Sequence, residues 1–269
     1  MNYAFIGLGN MAGAILKGMK ESGSFKGDGF FGFDVDAKRA MQVASEVGLT
    51  SCASAGEAIG LADVVVLAVK PQTLTTLLNE TKGELHKDKL VISIAAGKPL
   101  RFYEALLGNG VPLIRVMPSL LAKVGAASSA VCNNAAATPA HLDIANNLFT
   151  AVGTVSQVPE RLFPAFSAIS GAAPAFVFEF IDALASAGVK AGLSRELAQR
   201  TACAMVQGSA QLLKQANEHP RALMDQVCSP GGTTIRGVHA LAACGFDHAV
   251  HEAVAAVIDR DLELGRDEA

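Results

Sequence analysis

The sequence predicts an α/β chain, with a doubly wound parallel-sheet domain over residues 1–158 and an all-helical domain over 159–269. Three observations predict it. Short apolar runs alternate with helical patterns through the first half, which is how a parallel sheet covered by helices on both faces is written. The first run leads directly into a glycine-rich turn, Gly7-Leu8-Gly9-Asn10-Met11-Ala12-Gly13. After about Pro159 the strand signal stops and only helix-period patterns follow.

Taken in order, the strands fall at Tyr3–Gly7, Phe30–Asp34, Val64–Val69, Leu90–Ile94 and Leu113–Val116, with Ser128–Val131 and Thr154–Gln157 extending the sheet. The intervening helices fall at Met11–Glu21, Asp36–Val47, Gln72–Asn79, Leu100–Leu107 and Pro139–Val152. In the second half, helices are expected at Phe176–Ala187, Arg195–Gln215, Ala222–Val227, Thr233–Ala243 and His248–Leu264. Gly171, Gly188, Gly192, Pro220 and Gly245 punctuate them.

Composition narrows the function classes. A chain of 269 residues needs no disulfide staple to fold. Net charge is −3 and no basic cluster is present, which argues against nucleic-acid binding. The strand pattern begins at Tyr3 and leaves no room for a signal peptide. Cys52, Cys132, Cys203, Cys228 and Cys244 are odd in number, scattered and without metal-ligand spacing, so reduced thiols in a cytoplasmic protein and no metal site are expected. The hydrophobic fraction is 51%, yet no apolar run approaches the ~20 residues of a membrane span. Helices this apolar in a small domain are expected to bury their faces against a second subunit. The six histidines form no catalytic pattern.

The glycine turn has the form G-x-G-x-x-A between a strand and a helix. Gly7 permits the tight turn, Gly9 lets the backbone approach a pyrophosphate, and Ala12 lets the helix settle on the strand. This is the fingerprint of a Rossmann dinucleotide-binding domain, with Ile6, Gly7, Leu8, Gly9, Asn10, Met11 and Ala12 as candidate cofactor contacts. Asp34 ends the second strand. An acid there takes the adenosine ribose hydroxyls and favours NADH; Lys38 and Arg39 follow closely and suit a 2′-phosphate, and Asp34 equally suits the cap of the next helix. NADPH or NADH therefore both remain open. Ligands of doubly wound sheets lie beyond the carboxyl ends of the strands. Ala68, Val69, Lys70 and Pro71, then Ala96 and Gly97, then Met117 and Pro118, occupy those ends and complete the candidate cofactor set.

A second motif, Cys228-Ser229-Pro230-Gly231-Gly232-Thr233-Thr234-Ile235, opens an apolar-periodic segment. Ser229 is a plausible N-cap and Pro230 suits the first helical turn. Two glycines remove side chains that would block a ligand, and Thr233 and Thr234 add hydroxyls at a positive helix end. A small carboxylate or phosphate fits such a place.

Together these segments resemble the pyrroline-5-carboxylate reductases. The resemblance rests on Phe5 to Ile15, Ala68 to Gln72, Val91 to Gly97, Arg115 to Pro118 and, most specifically, Asp225 to Ile235. It implies reduction of L-1-pyrroline-5-carboxylate to L-proline by NADPH or NADH, a C-terminal all-helical dimerisation domain, and at least a homodimer, sometimes stacked into a ring. It also implies substrate contacts at Val227, Ser229, Gly231, Gly232, Thr233 and Thr234, with Thr234 as the catalytic hydroxyl. Two departures stand out: Ser119-Leu120 where the family has Asn-Thr, and Ala172, Ala173 and Phe176 in its S-G-S-G-P-A-Y stretch.

The expected chemistry is hydride delivery to the C=N carbon of a cyclic imine. Its carboxylate rests on the Gly231–Thr233 backbone, and Thr234 positions the nitrogen and its proton. Holding the reactants about 3–3.5 Å apart supplies most of the rate gain. A 3-hydroxyacid dehydrogenase shares the domain order but needs a base, usually a lysine on the first long C-terminal helix. The stretch Ser167–Val189 contains none.

Overall fold

The computed structural model describes residues 1–266. The last three residues of the expected 159–269 domain lie outside them. Two compact units are present: Met1–Gly171 together with the chain from Ile258 onward, and Ala172–Val257.

The first unit is built as β1 (Asn2–Ile6), α1 (Asn10–Ser22), β2 (Gly29–Phe33), α2 (Ala37–Val47), β3 (Thr50–Ser51), α3 (Ala55–Gly60), β4 (Val64–Leu67), α4 (Pro71–Thr81), β5 (Leu90–Ser93), α5 (Leu100–Leu107), β6 (Leu113–Met117), β7 (Ala127–Asn133), α6 (Pro139–Thr150), β8 (Gly153–Gln157) and α7 (Phe163–Ser167). The eight strands form one sheet in the order β3-β2-β1-β4-β5-β6-β7-β8. The strands from β1 to β6 pair in parallel, as expected. The β6–β7 pair is antiparallel, which corrects the all-parallel sheet read from the sequence. The link 118–126 is the reason. It holds only a short 3-10 turn at Leu120–Val124, and a parallel crossover needs a dozen or more residues. β3 and α3 had no periodicity long enough to predict them.

Both faces of the central strands are buried, so β1 and β4 read as continuous apolar runs. Phe5, Val64, Val66 and Ile92 enter one core with Ile15, Leu148 and Phe149. Ala4, Ile6, Val65 and Leu67 enter the other with Leu74, Leu78 and Tyr103. Phe163 belongs to that second core. The contact boundary therefore lies at Gly171, later than the 158/159 boundary read from the sequence. The strand signal ends at Gln157, but the chain keeps packing on the sheet for one more turn of helix.

The second unit holds α8 (Ala173–Lys190), α9 (Arg195–Ala216), α10 (Pro220–Val227), α11 (Thr233–Ala243) and most of α12 (Phe246–Arg266). Its buried core is three alanines, Ala185, Ala198 and Ala202, backed by Ile181 and Val189. Gly188 lets α8 and α9 approach closely, since a Cβ there would lie 3.2 Å from that of Ala198. Large apolar side chains stay outside, among them Val177, Phe178, Leu184, Met205 and Leu212. The helical run Glu160–Lys190 is long and apolar enough to cross a membrane by length and composition, with 17% of its most apolar window buried. This exceeds the sequence expectation that no run approaches that length. Pro164, Pro174 and a π turn at Ala168–Ala172 interrupt it.

Candidate active site

The dinucleotide end is shaped by backbone. β1 delivers Gly7 at φ +92, where its N–H donates to the Phe33 carbonyl at 2.8 Å. A Cβ at Gly7 would lie 2.8 Å from the Ala68 carbonyl oxygen, so only glycine fits. Gly9 caps α1 without any capping side chain, and a Cβ there would meet nothing within 4 Å. The first N–H groups of α1 thus face open space at the positive end of a 13-residue helix, a cradle that fits a pyrophosphate. Ile6, Leu8 and Ala12 are each 1% exposed and offer backbone rather than side chain, whereas Asn10 is exposed and Met11 half-buried.

The strand order reverses between β1 and β4, and Ile6 pairs in register with Leu67. Ala68, Val69, Lys70 and Pro71 therefore leave the sheet beside the glycine turn. Lys70 is exposed and caps α4, with Pro71 at its first position. Ala96 and Gly97 (φ +73) follow β5, and Met117 and Pro118 follow β6. The structure thus brings the expected cofactor residues to the carboxyl ends of the central strands. Next to Pro118, the Ser119 hydroxyl is buried with no hydrogen-bond partner, and so is that of Ser170 in the π turn. A Cβ at Gly171 would lie 3.5 Å from Met117 Cε. An orphaned hydroxyl at the carboxyl end of a strand fits a bound ligand. In the sequence these two serines are marked only by the departure at Ser119 and by the family stretch that Ser170 opens. Beside Gly97, the Lys98 ammonium lies 4.4 Å from the centroid of the Phe102 ring, and burial pushes its pKa down.

One reading of Asp34 is corrected. It does not cap α2; Asp36 does, accepting from Lys38 N at 3.1 Å and Arg39 N at 3.3 Å. Asp34 instead receives the Leu8 N–H at 2.7 Å and the Asp36 N–H at 2.9 Å, tying β2 to the glycine turn.

In the second unit, α11 begins at Thr233 with Gly232 as its cap and no capping side chain. Ser229 is therefore not the cap, and Pro230 is not in the first turn. The cause is Gly231 at φ +69, which turns the chain so that Gly232 N donates to the Ser229 carbonyl at 3.0 Å. A Cβ at Gly232 would collide with the Ser229 hydroxyl. Val227, Ser229, Gly231, Thr233 and Thr234 are exposed around this uncapped helix start, and Gly232 is half-buried. Among the described residues no group of three His, Cys, Asp or Glu side chains is placed to hold a metal ion.

A doubly wound sheet with an open glycine cradle at its switch point, joined to a helical unit with an uncapped Gly-Gly-Thr-Thr helix start, defines a dinucleotide-dependent oxidoreductase. Residues 2–97 match the family model "NADP oxidoreductase coenzyme F420-dependent", and residues 160–264 match "Pyrroline-5-carboxylate reductase dimerisation". The chain belongs to the pyrroline-5-carboxylate reductase family. It is 38% identical to the pyrroline-5-carboxylate reductase of Methanosarcina acetivorans over 97% of both chains. Its structure superposes on the pyrroline-5-carboxylate reductase of Coxiella burnetii with a TM-score of 0.92, at 29% identity over 98% of both chains. On the Plasmodium falciparum pyrroline carboxylate reductase with NADP bound, the TM-score is 0.87 at 30% identity, again over 98% of both chains.

Proposed function

We propose that this chain reduces L-1-pyrroline-5-carboxylate to L-proline with NADPH or NADH, the last step of proline biosynthesis. The observation that carries the reading is the uncapped start of α11, where Gly231 and Gly232 clear the approach to free backbone N–H groups beside Thr233 and Thr234. Residues 1–158 serve as the dinucleotide-binding domain and 159–269 as the substrate-binding and dimerisation domain.

The substrate is a five-membered cyclic imine bearing a carboxylate. The backbone N–H groups around Gly231 and Thr233 hold that carboxylate, while Gly232, whose own N–H is spent on the Ser229 carbonyl, shapes the turn, with Val227 and Ser229 at the rim. The Thr234 hydroxyl positions the imine nitrogen, which carries a proton when its carbon is reduced. A threonine hydroxyl is a weak acid, so its part is orientation more than proton donation. The glycine cradle of α1 holds the pyrophosphate, and the backbone at Ala68–Pro71, Ala96–Gly97 and Met117–Pro118 lines the nicotinamide. When bound, the dinucleotide supplies the hydride.

The helical unit is read as a subunit interface because its own core is three alanines while Phe178 stands 58% exposed. Burying such side chains needs a second copy, so the working form is a homodimer at least, and a larger ring is compatible with it. Cytoplasmic placement rests on the five free cysteines.

The test is oxidation of NADH and of NADPH in the presence of L-1-pyrroline-5-carboxylate, with proline identified as product. Turnover on the order of 1–10³ s⁻¹ is expected. A folded protein that binds a dinucleotide yet forms no proline defeats the reading.

A further inference from the structure

We propose that this chain binds NADH in preference to NADPH, and that Asp36 is the residue that excludes the 2′-phosphate. The proposal rests on the dinucleotide reading above and deepens it.

The carboxyl end of β2 is where a doubly wound sheet places the adenosine ribose. A 2′-phosphate there would seek a cation and the free N–H groups at the start of α2. The N–H groups and the arginine of this segment are already engaged by the protein itself. The Asp36 carboxylate accepts from the backbone of Lys38 and Arg39, so the anion position at this 11-residue helix is occupied by a side chain. The Arg39 guanidinium lies 3.6 Å from Asp34 Oδ2 and 3.6 Å from Asp36 Oδ2, spanning the two acids. Val35, between them and 93% exposed, offers no charge. Lys38 is exposed and is the remaining cation of the segment.

A phosphate carrying about −1.5 to −2 charges would therefore arrive beside two carboxylates whose nearest arginine is already shared. A ribose hydroxyl meets the opposite situation. A carboxylate has about four lone-pair sites, and Asp34 spends two on backbone N–H donors and one facing Arg39. The site left over accepts a hydroxyl and repels a phosphate. The Plasmodium relative holds NADP; the inference is that the β2–α2 segment of this chain disfavours the phosphorylated dinucleotide.

The experiment is a binding titration of the full-length protein with NADH and with NADPH, followed by nicotinamide fluorescence, without imine. NADH is expected to bind at least about tenfold more tightly. Asp36→Ser keeps a capping oxygen and removes the charge. It is expected to tighten NADPH about tenfold and to change NADH far less; Asp36→Asn, also a good cap, repeats the test should the serine variant fold poorly. Wild-type protein that binds NADPH as tightly as NADH overturns the proposal, as does an Asp36→Ser variant in which both dinucleotides shift equally. Because no substrate is present, the two readings fail separately. NADH preference without proline formation defeats the reductase reading alone, and proline formation with NADPH bound more tightly defeats this one alone.

Discussion

The Arg115 guanidinium meets the Glu160 carboxylate at 3.0 Å, and the same Glu160 oxygen accepts the Leu100 N–H at 2.7 Å. One acid thereby ties β6 to the start of α5 and to the segment beyond β8. Arg115 is 7% exposed and also stands over the Phe163 ring, 4.6 Å from its centroid. Truncating Glu160 to alanine removes the hydrogen-bonded carboxylate from a buried guanidinium and the acceptor from the Leu100 N–H at the start of α5. A loss of roughly 2–4 kcal/mol is expected in urea unfolding. Glu160→Gln, which still accepts, is expected to lose about half of that.

Gly7 and Gly9 separate fold from function within one turn. Gly7→Ala places a Cβ against the Ala68 carbonyl at a positive φ and is expected to cost about 1–3 kcal/mol of stability. Gly9→Ala meets no protein atom within 4 Å, so its melting temperature is expected to stay that of the wild type. Its Cβ intrudes on the open cradle, and dinucleotide affinity measured by fluorescence is expected to fall more than about tenfold.

Thr234→Ala is expected to lower kcat by about 10²-fold with unchanged unfolding, since the residue is exposed and makes no capping hydrogen bond. Thr234→Ser restores the hydroxyl and should recover most of the rate. Steady-state kinetics check this, and unchanged turnover in the alanine variant removes Thr234 from the mechanism.

The chain's two tyrosines, Tyr3 and Tyr103, report on alkaline stability. Burial pushes both pKa values from 10.0 up to about 12. The unfolded chain ionises first as pH rises, so their contribution is intact below pH 10 and is lost between 10 and about 12. Tyr103 alone, hydrogen-bonded to the Ser93 hydroxyl and nearly inaccessible, should cost about 1.4 kcal/mol per pH unit in that window. Urea unfolding at successive pH values measures the slope, and Tyr103→Phe should lower it by about that amount, leaving the share of Tyr3.

Phe178 tests the interface reading. Phe178→Asp puts a charge on an apolar face of α8 that is exposed in the single chain. Sedimentation is expected to show the variant shifted toward monomer at concentrations where the wild type is a dimer. An unchanged sedimentation profile places the interface elsewhere.

Much of this molecule is written locally. Tyr3-Ala4-Phe5-Ile6 followed by Gly7-Leu8-Gly9 reads as strand and turn because burial on both faces demands an unbroken apolar run and the turn demands glycine. Leu100–Leu107 and Thr233–Ala243 fall at the bounds that periodicity and neighbouring glycine and proline set. By contrast, the antiparallel turn into β7 depends on a link too short for a crossover, and that shortness is visible only once both strands have fixed ends. β3, two residues long, exists only because β2 offers it an edge.

The sequence by itself determined the doubly wound half, the helical half, the glycine cradle and the Gly-Gly-Thr-Thr motif, because each depends on residue type within one turn or strand. Tertiary structure decided what the neighbouring polar groups do. Asp34 and Asp36 are two residues apart and alike in composition. Only the approach of the Leu8 N–H assigns one to the glycine turn and leaves the other to cap α2. Ser229 does not cap α11 because Gly231 at positive φ turns the chain before the helix begins. Hydrogen-bond partners distant in sequence, and backbone angles that only glycine adopts freely, set these roles, and neither follows from periodicity.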